Sequence, residues 1–347
     1  MRFMVLPASS HVLTLTRWAL TAFAILALAV LAMLASPLSQ PPALASIQNG
    51  AMAIGEEGRP ELSRFQARDG SSLAYRLYPA KSGVRDRLAI LIHGSAGSSA
   101  AMHQVARSLA DSGVAAVALD VRGHGASGTR GDIGFIGQLD DDLADLVAEL
   151  RHAYPDARLT LIGHSSGGGF ALRIAGEPRG ELFDRIVLLA PYLGHSAPTN
   201  RSLDSGDGRW ADVDLPRLLA LAALRRVGVD WAQSMPVIAF AVAPQAAKYV
   251  TARYSYRLLS NFGPPEDWQG AFKASKTPIE VLAGENDELM NAPAYRGAIE
   301  PLGAKARVTL LPGVDHMGMV YAPAALAAIR AAVFHNATSS AMNAAPE

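Results

Sequence analysis

Ser165 lies in the run Gly163-His164-Ser165-Ser166-Gly167, which has the G-x-S-x-G spacing of a serine nucleophile. A hydroxyl attacks poorly at neutral pH unless a base stands within hydrogen-bond reach. The chain has 9 histidines. His11 falls in an apolar N-terminal run, His335 near the C-terminus and His152 on a helix with a leucine stripe. His164 adjoins the serine and is read as pointing elsewhere. Of His93, His103, His124, His195 and His316, the last follows the final predicted strand in "LLPGVDHMG", which predicts that it emerges at the same sheet edge as Ser165. A carboxylate must then orient the imidazole. "LAGENDELM" supplies Glu285, Asp287 and Glu288 just past a strand, and Asp287 is the chosen partner. Asp315 ranks below it, because adjacent side chains on a loop seldom face each other. Serine, base and acid together would transfer an acyl group through a covalent intermediate, with no metal or organic cofactor.

Such a serine needs a sharp strand-to-helix turn to hold it. "LTLIG" at 159 to 163 reads as a buried strand, and the residues after Ser166 have helical spacing. Side chains at Gly163 and Gly167 would clash across the turn. The helix start aims unpaired N–H groups at any oxyanion formed there, with Ser166 N–H the first candidate donor. Other short apolar runs at 88–93, 114–120, 185–190, 279–284 and 307–312 read as strands buried on both faces. Helical segments separate them, most clearly the one with Leu139, Leu143, Leu146, Val147 and Leu150 on one face. Asp140 to Asp142 start that helix, where its dipole favours anions. "RFQARDGSSLAYRLY" alternates around Asp69-Gly70 and predicts a leading hairpin. The pattern specifies an α/β fold with an open, mostly parallel sheet, helices on both faces and a helical cap inserted at 194–276. The core then comprises 63–193 and 277–335, with a tail at 336–347.

Lys and Arg total 31 and so do Asp and Glu, so no net field recruits nucleic acid. The absence of cysteine excludes disulfides, a thiolate nucleophile and a Cys-ligated metal. Trp18 to Ala35 carries no charge and follows Arg2 and Arg17, which suits a membrane or a translocon. Residues 1–45 are therefore read as a membrane anchor or a signal peptide cut after Ala45. The anchor is favoured, because the run exceeds a usual signal core. Either reading exports the rest. Residues 46–62, within a Pro- and Gly-rich stretch from 36, read as a linker.

From about Ser63 to Phe334 the chain resembles the α/β-hydrolase superfamily, and within it the monoacylglycerol lipase and lysophospholipase-like branch grouped with serine aminopeptidases. The residues carrying the resemblance are His93 to Gly97, Asp120 to Ser127, the Ser165 turn, Gly284 to Asp287 and Asp315-His316. The resemblance implies an eight-stranded sheet and the triad order Ser165, Asp287, His316. It also implies that Ser95 donates a second oxyanion N–H and that the polar residues of 120–127 are structural. Only the backbone of Ser95 and Ser166 would act, so replacing their side chains is expected to be mild. Ser166 stands where many of these lipases have methionine, and an extra glycine, Gly169, follows.

The favoured activity is hydrolysis of a carboxylic ester. Apolar cap segments with Trp210, Trp231, Trp268 and Phe240, together with the membrane-type segment, suggest a lipid-like ester such as a monoacylglycerol or lysophospholipid. An aminopeptidase would need acids to hold the substrate ammonium, for which Asp204, Asp207, Asp212 and Asp214 are candidates. A third possibility is a membrane-tethered binding module on a dead hydrolase scaffold, against which stands the presence of all three triad residue types.

Overall fold

The computed structural model describes residues 10–201, 209–246, 250–303 and 305–335. Its centre is an eight-stranded sheet of order β1-β2-β4-β3-β5-β6-β10-β11. β1 (Ser63–Gln66) and β2 (Ser72–Tyr78) pair antiparallel, and β2 is antiparallel to β4 (Ala115–Leu119). From β4 onward, β3 (Arg87–Ile92), β5 (Arg158–His164), β6 (Arg185–Leu189), β10 (Ile279–Gly284) and β11 (Ala306–Leu311) all pair in parallel. The predicted hairpin is present, but of Asp69 and Gly70 only the glycine has positive φ, at 80°. Asp69 instead accepts a hydrogen bond from Ser71 N at 2.9 Å.

The central strands bury both faces, as their unbroken apolar runs require. Along β3, Leu88, Ile90 and Ile92 join one core, while Ala89 and Leu91 join the other. The first core is closed by α4 (Gln138–Ala153), through all five residues of its apolar stripe, and by α5 (Ser166–Gly176). α3 (His103–Asp111) and α10 (Pro323–Phe334) close the second. The acids opening α4 are engaged by arginines: Arg122 pairs with Asp142 at 2.7 Å, Arg173 with Asp140 and Arg179 with Asp141.

Between β6 and β10 the chain builds a layer over the C-terminal edge of the sheet. It contains α6 (Leu215–Arg226), α7 (Tyr256–Asn261) and α8 (Trp268–Ala274). Besides these helices it carries a three-stranded antiparallel sheet of β7 (Ala211–Val213), β8 (Pro236–Phe240) and β9 (Arg253–Ser255). These strands are short and lack a turn dipeptide between them, so the sequence pattern there predicts only helical segments.

α9 (Ala294–Ile299) lies between β10 and β11, and two further helices precede the sheet. α1 (Ser10–Leu34) includes a stretch, Val12–Leu34, long and apolar enough to cross a membrane and only 6% buried. The first part of the stretch read as a linker, 46–62, is helical: residues Ala45–Ile54 form α2. Gly50 lets α2 pack directly on the residue after His316: a Cβ there would lie 2.3 Å from Met317 Cβ. A helix with so few large residues has little apolar periodicity, and its packing depends on a distant loop.

The end of α1 is held by the inserted layer. Arg217 on α6 donates to the carbonyl oxygens of Leu34, at 2.9 Å, and of Ser36, and pairs with Asp214 at 3.2 Å. The Ser36 hydroxyl donates to Asp214. Further on, Gln40 Nε2 donates to Val242 O at 3.1 Å, and Leu44 N to Ala241 O at 3.3 Å.

Candidate active site

β5 ends at His164, and Ser165 turns the chain into α5 with φ 55° and ψ −120°. A non-glycine residue held at positive φ is strained, and only surrounding structure keeps it there. Ser165 N donates to Leu189 O at 2.9 Å, and Ser165 O accepts from Tyr192 N at 3.0 Å. The steric role expected of the two flanking glycines is visible. A Cβ on Gly163 would lie 2.1 Å from Gly167 O, and one on Gly167 would lie 2.3 Å from His93 O.

His316 follows β11 and Asp287 follows β10, and their side chains meet. His316 Nδ1 donates to Asp287 Oδ2 at 2.8 Å, with both residues buried. Asp287 Oδ1 accepts from Leu289 N at 2.8 Å and Met290 N at 2.7 Å, which fixes the carboxylate. Burial opposes both charges, yet each partner sustains the other. Burial alone would lower the His316 pKa, but the Asp287 carboxylate raises it above its ordinary 6.5. Burial would likewise raise Asp287, and the His316 ring with three hydrogen bonds holds it below 3.8. With Nδ1 committed to donation, Nε2 is left as the basic nitrogen.

The other acids and histidines serve elsewhere. Glu285 is exposed. Asp315 accepts from Gly318 N at 2.6 Å and so shapes the turn after His316. Glu288 Oε2 accepts His316 N–H at 3.1 Å. His195 is exposed, and His103 is buried against Tyr78 and the Glu57 carbonyl. His164 does not point away from the site. Its Nε2–H donates to the His316 carbonyl at 3.1 Å, with ring centroids 4.8 Å apart. Burial, aided by His316, pushes the pKa of His164 down to about 3, so it remains a neutral donor. Sequence offered no sign of this, because the contact joins positions 152 residues apart.

The loop after β3 brings Gly94 and Ser95 to Ser165. A Cβ on Gly94 would lie 3.2 Å from Ser165 Cβ. Among the described residues, neither Ser95 N nor Ser166 N donates a hydrogen bond, so both backbone donors remain available. Behind the loop, Asp120 accepts from Ser99 N at 2.7 Å and Ala126 N at 2.8 Å, and Ser127 Oγ accepts from Ala74 N at 2.8 Å. These ties fit a structural role for 120–127.

Ser95, Ser165 and His316 line one cavity of about 590 Å³. Its walls are mostly apolar and come from three sources: α2 with Ile47, Ala51 and Met52, the inserted layer with Trp210, Val242 and Val250, and the core with Leu289 and Met317. Of the four aromatic residues named in the inserted segments, Trp210 lines the cavity. Phe240 stacks behind it at 5.5 Å, Trp268 packs on Phe272, and Trp231 is 80% exposed. Asp212 and Asp214 do not line the cavity, and Asp204 and Asp207 lie outside the described residues. Among the described residues no group of three or more acids and histidines could hold a metal ion.

A parallel sheet with these helices and a serine on a strained strand-to-helix turn defines an α/β-hydrolase. The chain belongs to the serine aminopeptidase, S33, family, which matches residues 84–320. It is 26% identical over 252 residues to 2-succinyl-6-hydroxy-2,4-cyclohexadiene-1-carboxylate synthase of Enterobacter sp. (strain 638), covering 70% of this chain and 90% of that protein. It is 29% identical over 130 residues to a monoacylglycerol lipase of Mycolicibacterium smegmatis, covering 37% of this chain and 46% of the lipase. Among solved structures, a soluble variant of Saccharomyces cerevisiae monoglyceride lipase superposes with TM-score 0.59 at 14% identity, covering 80% of this chain and 96% of that one. A membrane phospholipase A described as a bacterial virulence factor superposes with TM-score 0.52 at 17% identity, covering 96% of this chain and 99% of that one.

Proposed function

We propose that the protein hydrolyses a lipid-like carboxylic ester through an acyl-enzyme on Ser165. The observation that carries this reading is that Ser165 and His316, the latter bonded to buried Asp287, line one apolar cavity. Ser165 Oγ attacks the ester carbonyl as His316 Nε2 takes its proton, and the Ser95 and Ser166 N–H groups stabilise the oxyanion. Collapse expels the alcohol with that proton. Water, activated by the same imidazole, then releases the acid.

The cavity walls support an acyl chain over a peptide, since a free ammonium would find no unpaired acid among the described lining residues. Glu56 lines the cavity but pairs with Arg59. The monoacylglycerol lipase relative agrees with this preference. α1 supports retention at a membrane: its 23-residue apolar stretch spans about 35 Å at 1.5 Å per residue, enough for a bilayer core of about 30 Å. Leu215, Leu219, Val227 and Trp231 are exposed on the elements beside its end, and Trp231 suits a headgroup layer. Cleavage after Ala45 would discard the Ser36 contacts with Arg217 and Asp214, which favours an uncleaved anchor, and the positive flank of Arg2 and Arg17 supports a catalytic domain on the extracytoplasmic side.

The test uses the full chain in detergent micelles with a fluorophosphonate probe, p-nitrophenyl esters of graded chain length and aminoacyl p-nitroanilides. Labelling lost in Ser165→Ala and a preference for medium or long acyl chains are expected. Labelling that persists in Ser165→Ala, or faster cleavage of the anilides, would overturn the reading.

A further inference from the structure

The loop carrying Ser95 is fixed from outside the core. Ala96, next to Ser95, holds φ 61° although it is not glycine, and strain of this kind persists only where neighbours over-determine it. Three hydrogen bonds do so, and all three come from the layer inserted between β6 and β10. Trp210 Nε1 donates to Ser95 Oγ at 2.8 Å, Ala96 N donates to Tyr254 Oη at 2.7 Å, and Thr251 N donates to Ala96 O at 3.1 Å.

The direction of each proton can be assigned. His124 Nδ1 faces the Arg122 carbonyl at 3.3 Å, and a carbonyl only accepts, so Nδ1 carries the hydrogen. His124 is wholly buried and kept neutral, which leaves Nε2 as an acceptor. Tyr254 Oη, 2.6 Å away, therefore donates to His124 and keeps its lone pairs for Ala96 N–H. The chain of donors runs from Ala96 N–H through the Tyr254 hydroxyl and the His124 ring to the Arg122 carbonyl. Tyr254 is 1% exposed and cannot exchange these partners for water.

We propose that Tyr254 and Trp210 are positioning residues that clamp the Ser95–Ala96 loop, so that the inserted layer sets where the Ser95 oxyanion donor stands. This rests on the ester-hydrolase reading above. With Ala96 N–H consumed by Tyr254, the loop has Ser95 N–H to offer the reacting oxygen. Loosening the clamp lets Ala96 relax from positive φ and turns the Ser95 donor away, with the apolar walls unchanged. The loss then falls on the transition state and not on substrate binding.

Tyr254→Phe keeps the ring and removes one clamp bond; Trp210→Phe removes another and also part of the cavity wall. Both are compared with the full wild-type chain in micelles, using a medium-chain p-nitrophenyl ester, an alkyl trifluoromethyl ketone and the corresponding trifluoromethyl carbinol. The ketone adds to the serine and generates an oxyanion, whereas the carbinol fills the cavity without adding. Expected for Tyr254→Phe are a fall in kcat of about 10- to 100-fold with KM within about twofold, a matching loss of ketone affinity and carbinol affinity within about twofold. Trp210→Phe, which also trims the cavity wall, should lower the ratio of ketone to carbinol affinity.

Wild-type kcat and ketone affinity in folded Tyr254→Phe would overturn the clamp, as would equal weakening of ketone and carbinol. Should Tyr254→Phe fail to fold, the ketone-to-carbinol ratio of Trp210→Phe decides in the same way. Failure of the underlying reading is distinct: Ser165→Ala would then still hydrolyse the ester, and the wild type would not distinguish ketone from carbinol.

Discussion

At the scale of single residues, His316 and Asp287 each carry a shifted pKa for the same reason: a buried charge is tolerable only beside its opposite. Under the proposed mechanism His316 must be neutral to act. Activity is therefore present above its raised pKa and is lost as pH falls through it, placing the acid limb of kcat/KM above 6.5. The stability contribution has the opposite sense, full below 6.5 and lost as pH rises through the raised value. Asp287→Asn removes the largest raising influence and leaves burial opposed only by Glu288 and Asp315, so the limb should move to lower pH while kcat falls by about 10⁴-fold. A pH–rate profile of the variant checks both, and an unmoved limb would count against Asp287 as the orienting acid. These three residues were readable because the serine motif fixes a sheet edge and each partner follows a strand ending there. Tyr254 and His164 were not readable, nor was the bond from Trp210 to Ser95, since each acts through a contact between distant segments that no local pattern marks. The mild effect expected for Ser95 also needs amending. Its side chain is the acceptor for Trp210, so Ser95→Ala loses a clamp bond as well as a hydroxyl.

At the scale of elements, the parallel strands were legible because burial on both faces leaves short apolar runs with nothing polar to blur their ends. β7, β8 and β9 were not, being three to five residues long. α2 escaped notice for a different reason. Its sequence, "ASIQNGAMAI", is set by the need for a small residue at 50 and for apolar side chains toward the cavity. Close packing of this sort makes a prediction. Gly50→Val places new carbons on Met317 and must push α2 away from the loop bearing His316, at about 1–3 kcal/mol of strain. Thermal unfolding in micelles should shift down accordingly. The ratio of long- to short-chain ester hydrolysis should also fall, because one wall of the cavity retreats. An unchanged ratio would exclude α2 from the chain-binding surface.

At the scale of the whole molecule, the membrane-type helix and the inserted layer are one assembly. Arg217 satisfies carbonyls at the end of α1 and neutralises Asp214, and both residues are buried. Arg217→Ala leaves that carboxylate unpaired, and breaking a buried pair from one side costs about 3–5 kcal/mol. The variant in micelles should melt earlier and be cut faster by protease within 35–44. Equal melting and equal cutting rates would show that α1 is joined to the body by the chain alone. The sequence announced the apolar helix plainly, but its fastening was hidden in an arginine 183 positions away.

A body moored so short would have little freedom to tumble above a bilayer. If α1 spans the membrane as proposed, Arg217 keeps the catalytic pocket at one height and one tilt. The enzyme then searches a plane instead of a volume. Its working substrate concentration becomes the surface density of ester in the surrounding leaflet, so turnover should follow the mole fraction of substrate among lipids and be indifferent to the total lipid in suspension.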